Sequence, residues 1–396
     1  MKSHVVIAGA GIVGLSTAYQ LSLRGHRVTV IDKENGLAQH QTGNNSGVIH
    51  SGLYYTPGSL KAIMGTAGAT SMKEFAEANG VDFDICGKLV VATKPEQLPA
   101  LQELLRRGLA NNVPCRLITP EEAREYEPNV QCIAALRVDS TGIVDYPGVC
   151  AALARLIQEA GGEIKLGSEI IGVKSDATGV TVSTKTGDVR GDQFVNCAGL
   201  HSDRVARLAG LKPSVRIIPF RGEYFELKPD QAHLVKGLIY PVPNPEFPFL
   251  GVHLTKMING SVHAGPNAIF AFAREGYTWL TINPRDVLES AAWPGLWRLG
   301  AKFWKVGISE TARSFSQKLF LAGLRELVPA LGDNSMVPTH SGVRAQAMRR
   351  DGSMVDDFLI ERAPRQIHVL NSPSPAATAG LEIGRHIADI LRDDEK

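Results

Sequence analysis

Val5-Val6-Ile7-Ala8-Gly9-Ala10-Gly11-Ile12-Val13-Gly14 is the stretch that decides the fold. The short apolar run Val5 to Ala8 predicts a strand, and the glycines after it predict a sharp turn into a helix over residues 12–24. Gly25 closes that helix, and residues 27–31 read as a second strand. A β-α-β unit of about thirty residues opens a parallel, doubly wound sheet. The three glycines have separate tasks: Gly9 permits the tight turn, Gly11 lets the backbone approach a pyrophosphate, and Gly14 lets helix and strand pack closely. The amides of Ile12 and Val13 then face the phosphate charge. Asp32 ends the second strand, 18 residues after Gly14, where a carboxylate bonds ribose hydroxyls and repels a 2′-phosphate; Lys33 follows it. The unit predicts a bound dinucleotide and leaves flavin and nicotinamide forms open.

Working outward, residues 36–56 form a polar loop containing several glycines. Residues 59–79 have helical spacing, with Leu60, Ile63, Met64 and Phe75 as inward positions. A strand is expected over 88–93 and a helix over 96–111. Thr119-Pro120-Glu121-Glu122 is a helix start, with Thr as N-cap and Pro in the first turn. Residues 146–160 form an amphipathic helix, followed by short strands over 163–166, 170–173, 180–184 and 193–196. After Pro213 the pattern changes to strands separated by Pro-rich turns such as Tyr240-Pro241-Val242-Pro243-Asn244-Pro245, which predicts an antiparallel sheet in a second domain. Residues 284–329 read as helices, 367–370 as a strand and 376–391 as a closing helix.

Composition narrows the function classes. A chain of 396 residues allows about two to three domains, and a net charge of +2 marks no general nucleic-acid binder. Cys86, Cys115, Cys132, Cys150 and Cys197 are scattered and form no C-x-x-C pair, so neither a disulfide framework nor a metal site is expected. The apolar start lacks the small-residue cleavage pattern of a signal peptide, and no apolar run reaches the roughly 18 residues that cross a bilayer. A cytoplasmic protein is expected, with contact at the inner face of the cell membrane left open.

Six separated segments make the reading specific: HQTGNNSGVIHSGLYYTPGSLKA (40–62), PFRGEYFEL (219–227), FLGVHLT (249–255), GPNAIFAFAREGY (265–277), SGVRAQA (341–347) and NSPSPAATAGLEIG (371–384). On these the chain resembles the D-amino-acid oxidase/glycine oxidase superfamily of flavoproteins over nearly its whole length, and within it the L-2-hydroxyglutarate oxidases/dehydrogenases. The resemblance implies FAD and an α/β fold. A Rossmann-like FAD-binding domain (1–85, 145–215 and 335–396) would interleave with an α+β substrate domain built on an antiparallel sheet (86–144 and 216–334). It also implies oxidation of L-2-hydroxyglutarate, a small dicarboxylate 2-hydroxy acid, to 2-oxoglutarate; the enantiomer comes from the resemblance alone.

The flavin contacts then have physical readings. Thr42, Gly43, Asn44, Asn45, Ser46, Gly47 and Val48 form a loop of small and amide side chains suited to the diphosphate, ribityl chain and flavin edge. Ala198 and Gly199 lack bulk where backbone would press on cofactor, and Val173 resembles the family position whose backbone meets the adenine. Ser374-Pro375-Ala376-Ala377-Thr378 is expected to begin the last helix, its amides favouring negative charge on the reduced flavin. Some relatives tether flavin through Cys or His; Gly47 stands where the tethering His would align, so noncovalent FAD is expected.

Oxidising a 2-hydroxy acid requires loss of the hydroxyl proton and transfer of the α-hydride to flavin N5, hence a base and cations that fix carboxylates. Histidine suits the base because its ordinary pKa is about 6.5. His50, just after the flavin loop, and His253, alternating with apolar residues on a strand, are alternative bases that the residues do not separate. Arg344 is the leading carboxylate clamp, and Arg221, His263, Tyr55 and Tyr240 are further substrate-binding candidates. Electrons then pass to quinone or oxygen. Trp293, Trp297 and Trp304, with Arg298, Lys302 and Lys305, read either as a membrane-interface helix or as one packed on the substrate domain. Glycerol-3-phosphate or amine oxidation elsewhere in the superfamily, and a flavin-binding sensor without turnover, are the competing readings.

Overall fold

The computed structural model describes residues 2–243 and 251–394. Its opening unit follows the sequence: a strand at His4–Ala8, a helix at Ile12–Leu23 and a strand at Arg27–Ile31. These sit in a six-stranded sheet ordered Leu359–Ala363, Gln366–Asn371, Gln193–Asn196, His4–Ala8, Arg27–Ile31, Glu163–Lys165. All neighbours run parallel except the Leu359–Ala363 edge. A parallel sheet needs cover on both faces, and alternation along the first strand assigns them. Val5 and Ile7 join a core with the helices Ile12–Leu23, Tyr146–Glu159 and Gly380–Asp394. Val6 and Ala8 face the other way, against Val173, Val180 and Val182 of an antiparallel three-stranded sheet.

The second sheet has nine strands among the described residues. Eight are ordered Ile269–Phe270, Arg216–Leu227, Val262–Gly265, His253–Lys256, Leu238–Pro241, Lys88–Ala92, Ala134–Val138, Cys115–Ile118, and Met336–Met348 pairs with Arg216–Leu227. One pair in it, Leu238–Pro241 with Lys88–Ala92, is parallel. A small antiparallel sheet of Val48–Ile49, Gly142–Val144 and Phe83–Asp84 links chain from the opening segment to chain before the Tyr146–Glu159 helix.

Several expectations change. Residues from 335 onward were expected to return to the flavin-binding segments, but Met336–Met348 zips along Arg216–Leu227 in the second sheet. A strand's own pattern shows that it is a strand and not which partner it takes. The Leu60–Ala78 helix forms with Ser59 as its N-cap, yet Ile63 is 59% exposed and the buried stripe runs through Met64, Met72, Phe75 and Ala76. Two glycines set that phase. A Cβ on Gly65 would meet Pro375 at 2.9 Å and one on Gly68 the Thr378 carbonyl at 2.6 Å, so the glycine face packs inward. The closing helix begins at Gly380, and residues 374–378 form turns ahead of it.

Thr119 caps its short helix in a reciprocal capping box with Glu122. The 284–329 region holds the helices Pro284–Ala291, Pro294–Phe315 and Gln317–Arg325. Among the described residues no helix is long and apolar enough to cross a membrane. All five cysteines are free thiols. Asn244 and Pro245 of the Pro-rich turn, and residues 249 and 250 of the third resembling segment, lie outside the described residues.

Candidate active site

A cavity of about 1410 Å³ is lined by the glycine turn at one end and by side chains of the second sheet at the other. Drug-sized ligands occupy roughly 300–1,000 Å³, so there is room here for a dinucleotide with a small acid beside it.

The turn is built to admit such a group. A Cβ on Gly9 would lie 2.4 Å from the Cys197 carbonyl oxygen, and one on Gly14 would lie 1.9 Å from that of Gly9. Gly9 also has φ of +104°, a conformation that side chains resist. Gly9, Gly11, Ile12 and Val13 line the cavity, while Gly14 lies behind them as packing. The Ile12 amide donates to the Thr42 hydroxyl at 3.1 Å. The Gly11 cap offers no side-chain bond and the first turn has no acid, so the helix's positive end is left for an anionic ligand. Asp32 lines the cavity, but its carboxylate first braces the loops: it accepts the Ala10 amide at 2.6 Å and the Glu34 amide at 2.9 Å. Each oxygen keeps a lone pair for a ribose hydroxyl.

Lys33 does not stand alone. It pairs with Glu34 and, at 2.7 Å, with Glu275, and His40 Nε2 lies 3.0 and 3.4 Å from the same two carboxylates. Glu34, His40 and Glu275 are close enough to hold a cation, and the Lys33 ammonium bonds both carboxylates. Burial opposes charge on Glu275, yet hydrogen bonds from His201 and Lys33 hold it down at about 2. His40 stacks on Tyr277 with ring centres 6.1 Å apart and a 2.8 Å bond to its hydroxyl, tying the flavin loop to the second sheet's connections.

The loop after His40 spends many of its polar groups on its own shape. Asn44 donates to the Gln39 and His40 carbonyls, Asn45 donates to the Thr42 carbonyl, and the Gly47 amide donates to Asn45 Oδ1. Thr42, Asn44, Asn45, Ser46 and Val48 line the cavity; Gly43 and Gly47 do not. A Cβ on Gly43 would meet the Ala38 carbonyl at 2.3 Å, and Gly47 takes φ of +66°. Ala198, Gly199, Ala376 and Ala377 add a wall of small residues to the same cavity.

Two expected contacts are displaced. Val173 is buried in the core beneath the three-stranded sheet, and residues 168–171 line the cavity instead. Thr378 is fully buried behind the wall, where its hydroxyl meets the His50 amide, the Tyr146 hydroxyl and the Val48 carbonyl. The helix-dipole argument for residues 374–378 fails with the later helix start.

At the second-sheet end the cavity brings together His50, His253, Tyr240 and Arg344. His253 opens the strand His253–Lys256, and its ring stacks on Tyr240 with centres 3.9 Å apart. Its Nδ1 lies 2.9 Å from the Gly251 carbonyl, which accepts only, so Nδ1 carries the hydrogen and Nε2 a lone pair. Burial, with Arg344 and Lys88 adding to it against the Gly251 bond, lowers the His253 pKa to about 4. Burial, then Lys88, His253 and Lys61, lowers that of His50 to about 3. Both rings are therefore neutral at physiological pH. His50 Nδ1 is buried without a hydrogen-bond partner among the described residues, so nothing there selects its tautomer. Arg344 feels burial first, which disfavours its charge, while Tyr224 and Glu310 support it.

Tyr55, Arg221 and His263 do not reach the cavity. Tyr55 lies beneath the Lys61 ammonium. Arg221 is 1% exposed, bonded to Glu223 and stacked at 4.5 Å from the Trp279 ring centre. His263 sits beside Ser261, Tyr224 and His340. Arg221 lies on the face of its strand opposite Gly222 and Tyr224, which line the cavity, whereas His263 shares the sheet face of His253 and Tyr240 and stops short of the cavity beside Tyr224. Tyr224 and Lys61 line the cavity and were missed. Tyr224 looks like an ordinary strand aromatic, whereas Lys61, a cation near the start of an apolar helix face, was a legible signal.

The family model described as FAD dependent oxidoreductase matches residues 4–390. An L-2-hydroxyglutarate dehydrogenase from Indibacter alkaliphilus is 46% identical over 98% of this chain and 98% of its own length. One from Escherichia coli K12 is 43% identical over 96% of this chain and 91% of its own. Among solved structures, dithionite-reduced L-alpha-glycerophosphate oxidase from Mycoplasma pneumoniae with FAD bound superposes with a TM-score of 0.81 at 22% identity, over 98% of this chain and 94% of that one. That last likeness speaks to the fold, and the glycine turn, Asp32 and the alanine-lined wall supply a matching cradle. The chain belongs to the family of FAD-dependent oxidoreductases and uses FAD as its cofactor.

Proposed function

We propose that the protein oxidises L-2-hydroxyglutarate to 2-oxoglutarate, the substrate named for the relatives that it matches over nearly their whole length. The observation that carries the reading is His253, held in one tautomer by Gly251 and lining one cavity with Arg344. FAD, when bound, supplies the hydride acceptor. Arg344 holds the carboxylate next to the reacting carbon through its planar fork of donors. His253 Nε2 takes the hydroxyl proton, with its ring plane kept by the Tyr240 stack. The dianion's approach raises the low His253 pKa toward neutrality, which strengthens it as a base when substrate is present. His50 then lines the site as a neutral hydrogen-bonding group. We also propose the division expected from the sequence, with residues 336–348 moved to the substrate domain.

Anaerobic addition of each 2-hydroxyglutarate enantiomer, followed by bleaching of the flavin band, tests the reading; a band unmoved by both defeats it. Arg344→Ala is expected to raise KM about 100-fold or more while FAD content stays constant; unchanged kinetics remove Arg344 from the site. The pH profile has a definite sign. The base works deprotonated, so kcat/KM should hold from neutral pH downward and fall as pH drops through about 4. An acid limb near the ordinary histidine value would show that burial does not set the base.

The acceptor is proposed to be a quinone, with oxygen as the alternative, reached from the cytoplasmic face of the membrane. The Trp cluster divides. Trp293 is buried and bonds the Met348 carbonyl, whereas Trp297 and Trp304 are 66% and 57% exposed on the helix Pro294–Phe315, near Arg298, Lys302 and Lys305. Aromatic and basic groups on one exposed helix suit an anionic lipid surface. Flotation with phosphatidylglycerol vesicles should recover the parent and lose the Trp297→Ser/Trp304→Ser double variant. A parent that stays with the soluble fraction and reduces no quinone removes this part.

A further inference from the structure

Lys88 opens the strand Lys88–Ala92 and is 1% exposed. No described carboxylate pairs with it, and burial draws its ammonium down to about 7. Its Nζ lies 4.5 Å from the Tyr54 ring centre and 5.0 Å from that of Tyr240. The Tyr54 hydroxyl is buried without a hydrogen-bond partner among the described residues. Tyr240 stacks on His253, and Lys88 is near enough to disfavour charge on both His50 and His253.

Aromatic faces compensate a buried ammonium only in part, and a carboxylate does so far better. A dicarboxylic substrate brings two negative charges to this end of the cavity, and Arg344 answers one. Lys61 lines the cavity but is already bonded to Asp356 at 3.0 Å. Lys88 and Tyr54 stand one side chain behind the cavity surface, beside Tyr240, with a cation and a donor ready for the second charge.

We propose that Lys88, with the Tyr54 hydroxyl, binds the substrate's second carboxylate and so selects dicarboxylic over monocarboxylic 2-hydroxy acids. This deepens, and depends on, the reading of the protein as a 2-hydroxy acid oxidoreductase. It includes a swing of the four-carbon Lys88 stem toward the incoming charge. Among the described residues, the groups facing Lys88 are Tyr54, Tyr240, His50 and His253, with Lys61 and Arg344 beyond them; none of these is a carboxylate, so the substrate supplies the anion.

The test uses the FAD-loaded enzyme with L-2-hydroxyglutarate and with L-2-hydroxypentanoate, which carries a methyl group in place of the distal carboxylate. Lys88→Met is expected to raise KM for the first about 100-fold and to leave the second within about threefold. Lys88 works protonated, so the parent's kcat/KM should fall as pH rises through about 7. Lys88→Arg, which stays charged, should keep the preference and move that limb upward. Calorimetry on the parent at pH 8, in two buffers of different ionisation enthalpy, needs no variant: 2-oxoglutarate should bind with net proton uptake and 2-oxopentanoate without it. Equal losses for both acids in Lys88→Met, or no difference in proton uptake, overturn the proposal. A parent whose flavin is reduced by no 2-hydroxy acid overturns the functional reading instead, and the calorimetry still reports on Lys88.

Discussion

Replacing His253 with alanine is expected to slow anaerobic flavin reduction by L-2-hydroxyglutarate about 10²- to 10⁴-fold, the usual contribution of a positioned general base. The expectation rests on three features of one side chain. Gly251 accepts from Nδ1 and leaves Nε2 as the basic atom, Tyr240 fixes the ring plane, and burial keeps the imidazole neutral. FAD should remain bound at parent stoichiometry, because the glycine turn holding the pyrophosphate is at the far end of the cavity. His50→Ala is the control. Its backbone amide is held by Thr378 and its ring has no tautomer-setting partner, so a smaller loss is expected. If His50→Ala loses reduction and His253→Ala keeps it, the two histidines exchange roles; if both reduce flavin at the parent rate, neither is the base.

Gly14→Ala is expected to have the second large effect, on cofactor retention. The new Cβ would stand 1.9 Å from the Gly9 carbonyl oxygen, and the Gly9 position is itself pinned against Cys197. Neither partner is a flexible side chain, so helix and turn must separate. Overpacking of this kind costs about 1–3 kcal/mol, or about five- to 140-fold in FAD affinity where the strained turn is the binding surface. FAD content after gel filtration, together with Tm with and without added FAD, reads the effect. Full retention with an unchanged Tm would show that Gly14 does not set the turn. Thr42→Ala is gentler: it removes the Ile12 amide's acceptor without touching the packing.

Local chemistry made much of this legible. The glycine turn, the β-α-β unit around it, the 59–79 helix, the Thr119 cap and the regular strands depend on neighbours within a few residues, and the pattern shows them directly. His50, His253, Tyr240 and Arg344 were also readable as candidates, because polar groups in glycine-rich or apolar strand contexts invite a role. What could not be read was the direction of each side chain. Arg221 shares that context and faces away from the cavity, and His263 shares the face of His253 yet lies too far along the sheet to reach it. Lys88 begins an apolar run, a position where a charged residue asks for an explanation, yet its neighbours Tyr54 and Tyr240 come from distant parts of the chain.

The sequence by itself therefore determined the dinucleotide turn and the chemical types available for the reaction, since these follow from backbone conformation and side-chain identity over short spans. Only the tertiary structure decided that Met336–Met348 joins the second sheet, that Thr378 braces the wall from behind, and that His253 has its tautomer set while His50 does not. Those outcomes depend on which backbone or side-chain group, near or far along the chain, comes within about 3 Å in the folded geometry, and hydrogen bonding acts only at that range.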